Sequence, residues 1–144
     1  KEYRRQRQMC IRDRPRMDEV FRQLNKPPFV PAPWIFSVVW LILDILLGLS
    51  LYTLLTSDIT EQEKKQGIKL FLAVSFFLFF WPIIFFEYGL VFFSFVWILA
   101  LNLLNALMFY VFRKYSKKSA LLLIPYIIWC LFAALLNLGF LIVN

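Results

Sequence analysis

The feature that most constrains this chain is the segregation of its charges from its apolar residues. Four long apolar stretches, at about 33–56, 68–86, 89–112 and 119–143, are separated by short gaps that hold nearly all the lysine, arginine, aspartate and glutamate outside the N-terminal third. A hydrocarbon core ~30 Å thick is crossed by ~20 apolar residues in a helix, and each stretch reaches that length. With 61% hydrophobic residues the chain exceeds the ~45–50% usual in soluble domains. A soluble protein with that excess would interleave its charges. In lipid every backbone polar group must be satisfied within the segment, which leaves helices as the economical solution. The expectation is an all-α, integral membrane helical bundle with four transmembrane helices in this chain.

The formal net charge of +7 does not indicate a nucleic-acid partner. A net +4 of it lies in residues 1–14, where Lys1, Arg4, Arg5, Arg7, Arg12 and Arg14 face Glu2 and Asp13. The rest lies in short loops, where positive charge sets topology. Lysine-rich loops at 57–69 and 113–118 would share one face, with Lys64, Lys65, Lys69, Arg113, Lys114, Lys117 and Lys118. The opposite face has Arg16, Arg22 and Lys26. The lysine-rich loops are therefore expected to be cytoplasmic in a bacterial inner membrane. The two cysteines, Cys10 and Cys130, stand far apart without a CxxC, and there is no histidine, so no metal site is expected.

Three regions follow along the chain. Residues 1–14 (KEYRRQRQMCIRDR) are no signal peptide, since no apolar run follows their charges, and read as non-native sequence or a disordered basic tail. Residues 15–32 form an amphipathic and proline-rich lead-in: a short helix over 16–24, then extended or turned backbone imposed by Pro27, Pro28, Pro31 and Pro33. Residues 33–144 form the bundle. The link 57–67 is polar. Pro82 should kink the second helix, and Pro125 falls in the first turns of the fourth. The short turn Glu87-Tyr88-Gly89 makes helices two and three antiparallel neighbours.

Polar groups at bilayer depth are costly, which makes each a candidate site. Asp44 stands mid-helix, with Trp40 and Gly48 one turn either side on the same face. It reads either as the acid of a pocket wall, with Gly48 permitting close approach, or as an acid bonded to a neighbouring asparagine. Asn102 and Asn105 are better explained by interhelical hydrogen bonding. On helix four Tyr126, Trp129, Ala133 and Asn137 form one stripe, flanked by Phe132 and Leu136. It is either packing or an aromatic belt, or else a wall with room for a flat ligand beside Ala133.

The order of these features resembles the translocator protein/tryptophan-rich sensory protein family (TspO/MBR), which has five transmembrane helices. Phe21, Leu24, Lys26, Pro27, Pro31, Trp34, Phe36, Val39, Trp40, Leu43 and Gly48 keep register with the family's first loop and the helix after it. Trp81, Phe85 and Phe86 fit the third-helix motif. Leu122, Leu123, Pro125, Tyr126, Trp129, Phe132, Ala133, Leu136 and Asn137 reproduce the fifth-helix pattern L-L-x-P-Y-x-x-W-x-x-F-A-x-x-L-N. The match covers about residues 20–144. Val20 and Phe29 replace loop tryptophans, Asp44 replaces a tyrosine or phenylalanine, and Leu78 replaces an asparagine. The family's first helix would precede residue 20.

The resemblance implies a pocket beneath the proline-rich loop, lined by helices one, two and four. It implies porphyrins, haem precursors or sterol-like molecules as ligands, the lipid bilayer as surroundings, and pairing as homodimers. The candidate ligand-binding residues are Trp34, Trp40, Asp44, Trp81, Phe85, Trp129, Phe132, Ala133 and Asn137. Aromatic faces and edges suit a flat apolar macrocycle. No histidine can ligate haem iron, so a metal-free tetrapyrrole is favoured and no cofactor is required. A receptor or carrier is the preferred reading. The alternatives are a membrane scaffold, with the aromatics as packing, and light-dependent porphyrin degradation, with Trp34 and Trp129 as the reactive candidates. No nucleophile–base pair suggests other catalysis.

Overall fold

The computed structural model describes residues 25–144, which form four long helices. The expectations for the basic tail, the 16–24 helix, Val20, Phe21, Leu24, Arg16, Arg22 and Cys10 fall outside the described residues. Helix α1 is Pro33–Leu55, α2 is Glu61–Pro82 continued by a π-helical turn Ile83–Glu87, α3 is Val91–Tyr115 and α4 is Lys117–Val143. All four are long and apolar enough to cross a membrane. Their outward faces are as greasy as their inward ones: Leu41, Ile45, Leu72, Phe79, Phe92, Leu103, Tyr110 and Leu135 are all exposed. A helix apolar all round is stable only when lipid or protein surrounds it.

Two boundaries differ from the sequence reading. Helix α2 begins at Glu61, well before the apolar stretch at 68. Thr60 caps it: its hydroxyl accepts from Glu63 N at 3.3 Å, while Thr60 N donates to the Glu63 carboxylate at 2.9 Å. This reciprocal capping box satisfies two orphan backbone donors. The polar link at 57–67 is thus mostly helix, since apolarity marks the membrane and not the helix. The basic loop at 113–118 also shrinks. Helix α3 runs through Arg113 and Lys114 to Tyr115, only Ser116 leaves helical geometry, and α4 starts at Lys117. Ser116 serves as N-cap, accepting from Ser119 N at 3.4 Å.

Pro82 shifts the hydrogen-bond register of α2. Lacking an N–H, it ends the α-helical ladder, and the chain continues with the wider π pattern, Tyr88 N donating to Ile83 O at 3.3 Å. Gly89, at φ 63°, then turns the chain into α3. As the short turn requires, α2 and α3 are neighbours. Trp97 of α3 stacks on Phe77 at 4.4 Å and donates from its indole to Phe77 O at 2.8 Å.

The packing order of the helices positions the site. Helix α4 is the centre: it packs most extensively on α3 and also on α1, while α3 packs on α2. Helices α1 and α2 are neighbours that pack only lightly on each other. They meet at the lysine-rich end, where Gly67 lets the wholly buried Leu54 lie against the α2 backbone, leaving no room for a Cβ. At the same end Ser50 and Ser119 tie α1 to α4 reciprocally. Ser50 Oγ donates to Ser119 O at 2.7 Å, and Ser119 Oγ donates to Ser50 O at 2.6 Å. Such small hydroxyl residues allow close helix approach in lipid. Toward the proline-rich end no such pin joins α1 to α2.

The proline-rich loop lies over the end of α4. Pro27 is buried, and it and Phe29 sit against Gly139, where a Cβ would come within 2.9 Å of the Phe29 ring. Val30 packs on the buried cluster of Phe85, Leu136 and Phe140. Asn25 and Asn144 exchange two hydrogen bonds, at 3.2 and 3.0 Å.

Candidate functional site

Where α1 and α2 part, a cleft of about 680 Å³ opens. From α1 it takes Phe36, Trp40, Asp44 and Leu47, spaced so that they fall on one helical face. From α2 it takes Phe71, Ser75, Leu78, Phe79, Trp81 and Pro82, with Ile83 and Phe86 of the π turn closing one end. The volume lies in the ~300–1,000 Å³ range of small-molecule sites, and the lining is apolar with few polar groups, as such sites are. Trp40 and Trp81 meet at its wall, with ring centres 6.3 Å apart and planes at 44°. Asp44, one turn along from Trp40, is the only ionisable lining residue among the described residues.

Of the nine candidate residues, the structure brings three to the cleft: Trp40, Asp44 and Trp81. Four others support those three from behind. Phe85 is buried and stacks on Trp81, with centres at 5.8 Å and planes at 22°. Asn137 accepts from Trp81 Nε1 at 3.1 Å. Trp129 sets its edge against Trp40 at 6.4 Å and against Phe36 at 5.7 Å, and Phe132 leans on Trp129 at 5.1 Å. Ala133 is wholly buried in the core, and Trp34, 68% exposed, stands outside the cleft. Helix α4 therefore backs this cleft instead of lining it, because its stripe is consumed by packing on α1 and α3. Nor does the proline-rich loop contribute a lining residue. Gly48 has nothing within 4 Å, so no helix among the described residues approaches it closely, and Leu47 takes the lining position.

Asn137 explains the orientation of Trp81. Besides the indole, its Oδ1 lies 3.0 Å from Ser94 Oγ of α3, and its Nδ2 donates to Val91 O at 3.0 Å. One buried amide thus fixes three elements at the level of the cleft's end wall. Of the other asparagines, Asn102 donates to Ile98 O at 2.9 Å and across to Cys130 O at 3.3 Å, the interhelical bond expected. Asn105 is wholly buried against the polar ends of Tyr126 and Cys130 on α4, with no well-formed hydrogen bond among the described residues. It faces those side chains, not a free backbone carbonyl.

Sequence reasoning missed Phe36, Leu47, Phe71, Ser75, Leu78, Phe79, Pro82, Ile83 and Phe86. The signal was available on α1, where Phe36, Trp40, Asp44 and Leu47 recur at helical spacing. On α2 the stripe is hidden, since nearly every residue from 68 to 86 is apolar and most faces carry phenylalanine.

Comparison with known proteins gives one family. A model of the TspO/MBR family matches residues 9–143, starting inside the basic segment 1–14. The tryptophan-rich protein TspO of Chlorobaculum tepidum is 33% identical over 129 residues, covering 86% of this chain and 78% of that protein. A protein of the same name from Archaeoglobus fulgidus is 30% identical over 121 residues, covering 84% and 77%. The translocator protein of Ovis aries is 30% identical over 119 residues, covering 81% and 70%.

Proposed function

The chain belongs to the TspO/MBR family, and we propose that it is a membrane receptor or carrier that binds a flat, largely apolar ring system, tetrapyrrole or sterol-like, in the cleft between α1 and α2. It is an integral, multi-pass membrane protein. The observation that carries the reading is the touching pair of Trp40 and Trp81, which forms an aromatic wall along an otherwise apolar space. A rigid planar ligand gains most from such a wall: it buries large area against aromatic faces and loses little conformational freedom on binding. Both rings are held in advance, Trp81 by Asn137 and Phe85 and Trp40 by Trp129. That preorganisation favours binding over a role as loose packing surface. In a bacterial inner membrane the positive-inside rule would put the lysine-rich end, with Lys64, Lys65, Lys69, Arg113, Lys114, Lys117 and Lys118, on the cytoplasmic side. The cleft then lies toward the other side.

The test is tryptophan fluorescence in a nonionic detergent, titrated with an uncharged porphyrin. Saturable quenching is expected. Trp40→Ala should weaken the affinity about tenfold, from lost ring contact. Trp34→Ala, removing an exposed ring outside the cleft, should leave the affinity unchanged. Equal affinity in the parent and Trp40→Ala would place the ligand elsewhere.

A further inference from the structure

Resting on that reading, we propose that Asp44 makes the cleft selective for ring systems that carry a cationic nitrogen, an amine or a quaternary ammonium. The carboxylate sits roughly mid-span on α1, in a lining otherwise made of apolar side chains, tryptophan indoles and the Ser75 hydroxyl. Among the described residues Asp44 has neither an ion pair nor a hydrogen bond. The one ion pair found among them is Lys64 with Glu61 at 3.5 Å, at the far, lysine-rich start of α2. The ionisable side chains nearest to Asp44 across the interface with α4 are Tyr126 and Cys130, and neither is a cation.

A carboxylate at bilayer depth without a counter-charge is expensive, and the usual resolution is a partner in the site it faces. Here the space it faces is the cleft itself. Trp40 lies one turn away on the same face, and Trp81 touches it. Carboxylate plus aromatic faces is the set of groups that recognises an ammonium, through ion pairing and cation–π attraction. The flat part of the ligand would lie along the wall that Trp40 and Trp81 form, with the cation directed along α1 toward Asp44. A ring carrying carboxylates would bring like charge to that point and is disfavoured.

The experiment uses three pyrene probes of the same ring size, bearing a trimethylammonium-methyl, a hydroxymethyl or a carboxylate group. Energy transfer from tryptophan to pyrene is titrated on the full chain in a nonionic sugar detergent, with protein-free micelles as the blank. The expected order is cation, neutral, anion, with the cation about tenfold tighter than the neutral probe. Asp44→Asn should shrink that ratio to within about twofold, and Asp44→Glu should retain most of it. Circular dichroism melts confirm that both variants are folded. A cation-to-neutral ratio near one in the parent, or one that Asp44→Asn leaves intact, overturns the inference while the binding cleft stands. Absence of saturable transfer from any of the three probes overturns the binding reading itself.

Discussion

Asn137→Leu should destabilise the folded bundle by about 1–3 kcal/mol, the cost of stranding a buried hydrogen-bonding group. The leucine fits the volume, so the loss is not one of packing. It comes from the groups left behind. Trp81 Nε1 loses its acceptor at 3.1 Å and Val91 O loses the amide donor at 3.0 Å, in a region where Asn137 is 1% exposed. Ser94 Oγ is less affected, because it also reaches Val91 O at 2.8 Å. Single interhelical hydrogen bonds in membranes often contribute only ~0.6 kcal/mol, since the unfolded reference in lipid finds partners too. Asn137 exceeds that figure because its removal orphans the Trp81 indole outright, while Val91 O keeps the Ser94 hydroxyl. Reversible unfolding in mixed detergent with increasing dodecyl sulfate reads the loss. Because the freed indole belongs to the cleft wall, porphyrin affinity should fall in parallel. A variant with unchanged stability and a weakened ligand would mean that Asn137 serves the ligand directly, as its position on the α4 stripe suggested from sequence.

The contrast between that stripe and the observed cleft shows what a membrane sequence discloses. The four spans and their all-helical character were legible because lipid punishes charge, and the charges mark every exit from the bilayer. The short turn at 87–89 forced α2 beside α3 for reasons of reach alone. The neighbours of α1 could not be read, because an amphipathic stripe normally announces the buried face and here every face is apolar. Tyr126, Trp129, Ala133 and Asn137 do share a face, but that face is directed into α1 and α3, and the spacing is the same whether a helix or a ligand covers it. Trp40 and Asp44 were legible as a pair because an acid in hydrocarbon needs a reason, whatever the tertiary structure. The early start of α2 was announced only by Thr60 and Glu63, a polar signal outside the apolar window.

Ser75→Trp should abolish ligand binding, raising the dissociation constant at least ~100-fold, because the ligand and the new ring compete for one space. Ser75 is the smallest side chain lining the cleft, half-buried on α2 between Phe71 and Phe79 along the lining face. It makes no hydrogen bond among the described residues, so its replacement orphans nothing. An indole there projects into the volume of about 680 Å³ between Trp40 and the α2 wall. Filling an apolar void ordinarily stabilises, by dispersion contacts that the empty space lacked. The variant should therefore melt at the parent's temperature or a few degrees above it. That pairing separates occlusion from damage, since a misfolded protein loses both binding and its melting transition. The uncharged porphyrin and the cationic pyrene should be excluded alike, as both readings place them in the same cleft. A well-folded Ser75→Trp chain that still quenches saturably with parental affinity would move the site away from the α1–α2 interface altogether. The Trp129 side of α1, where Phe36 and Phe132 gather, would then be the place to look.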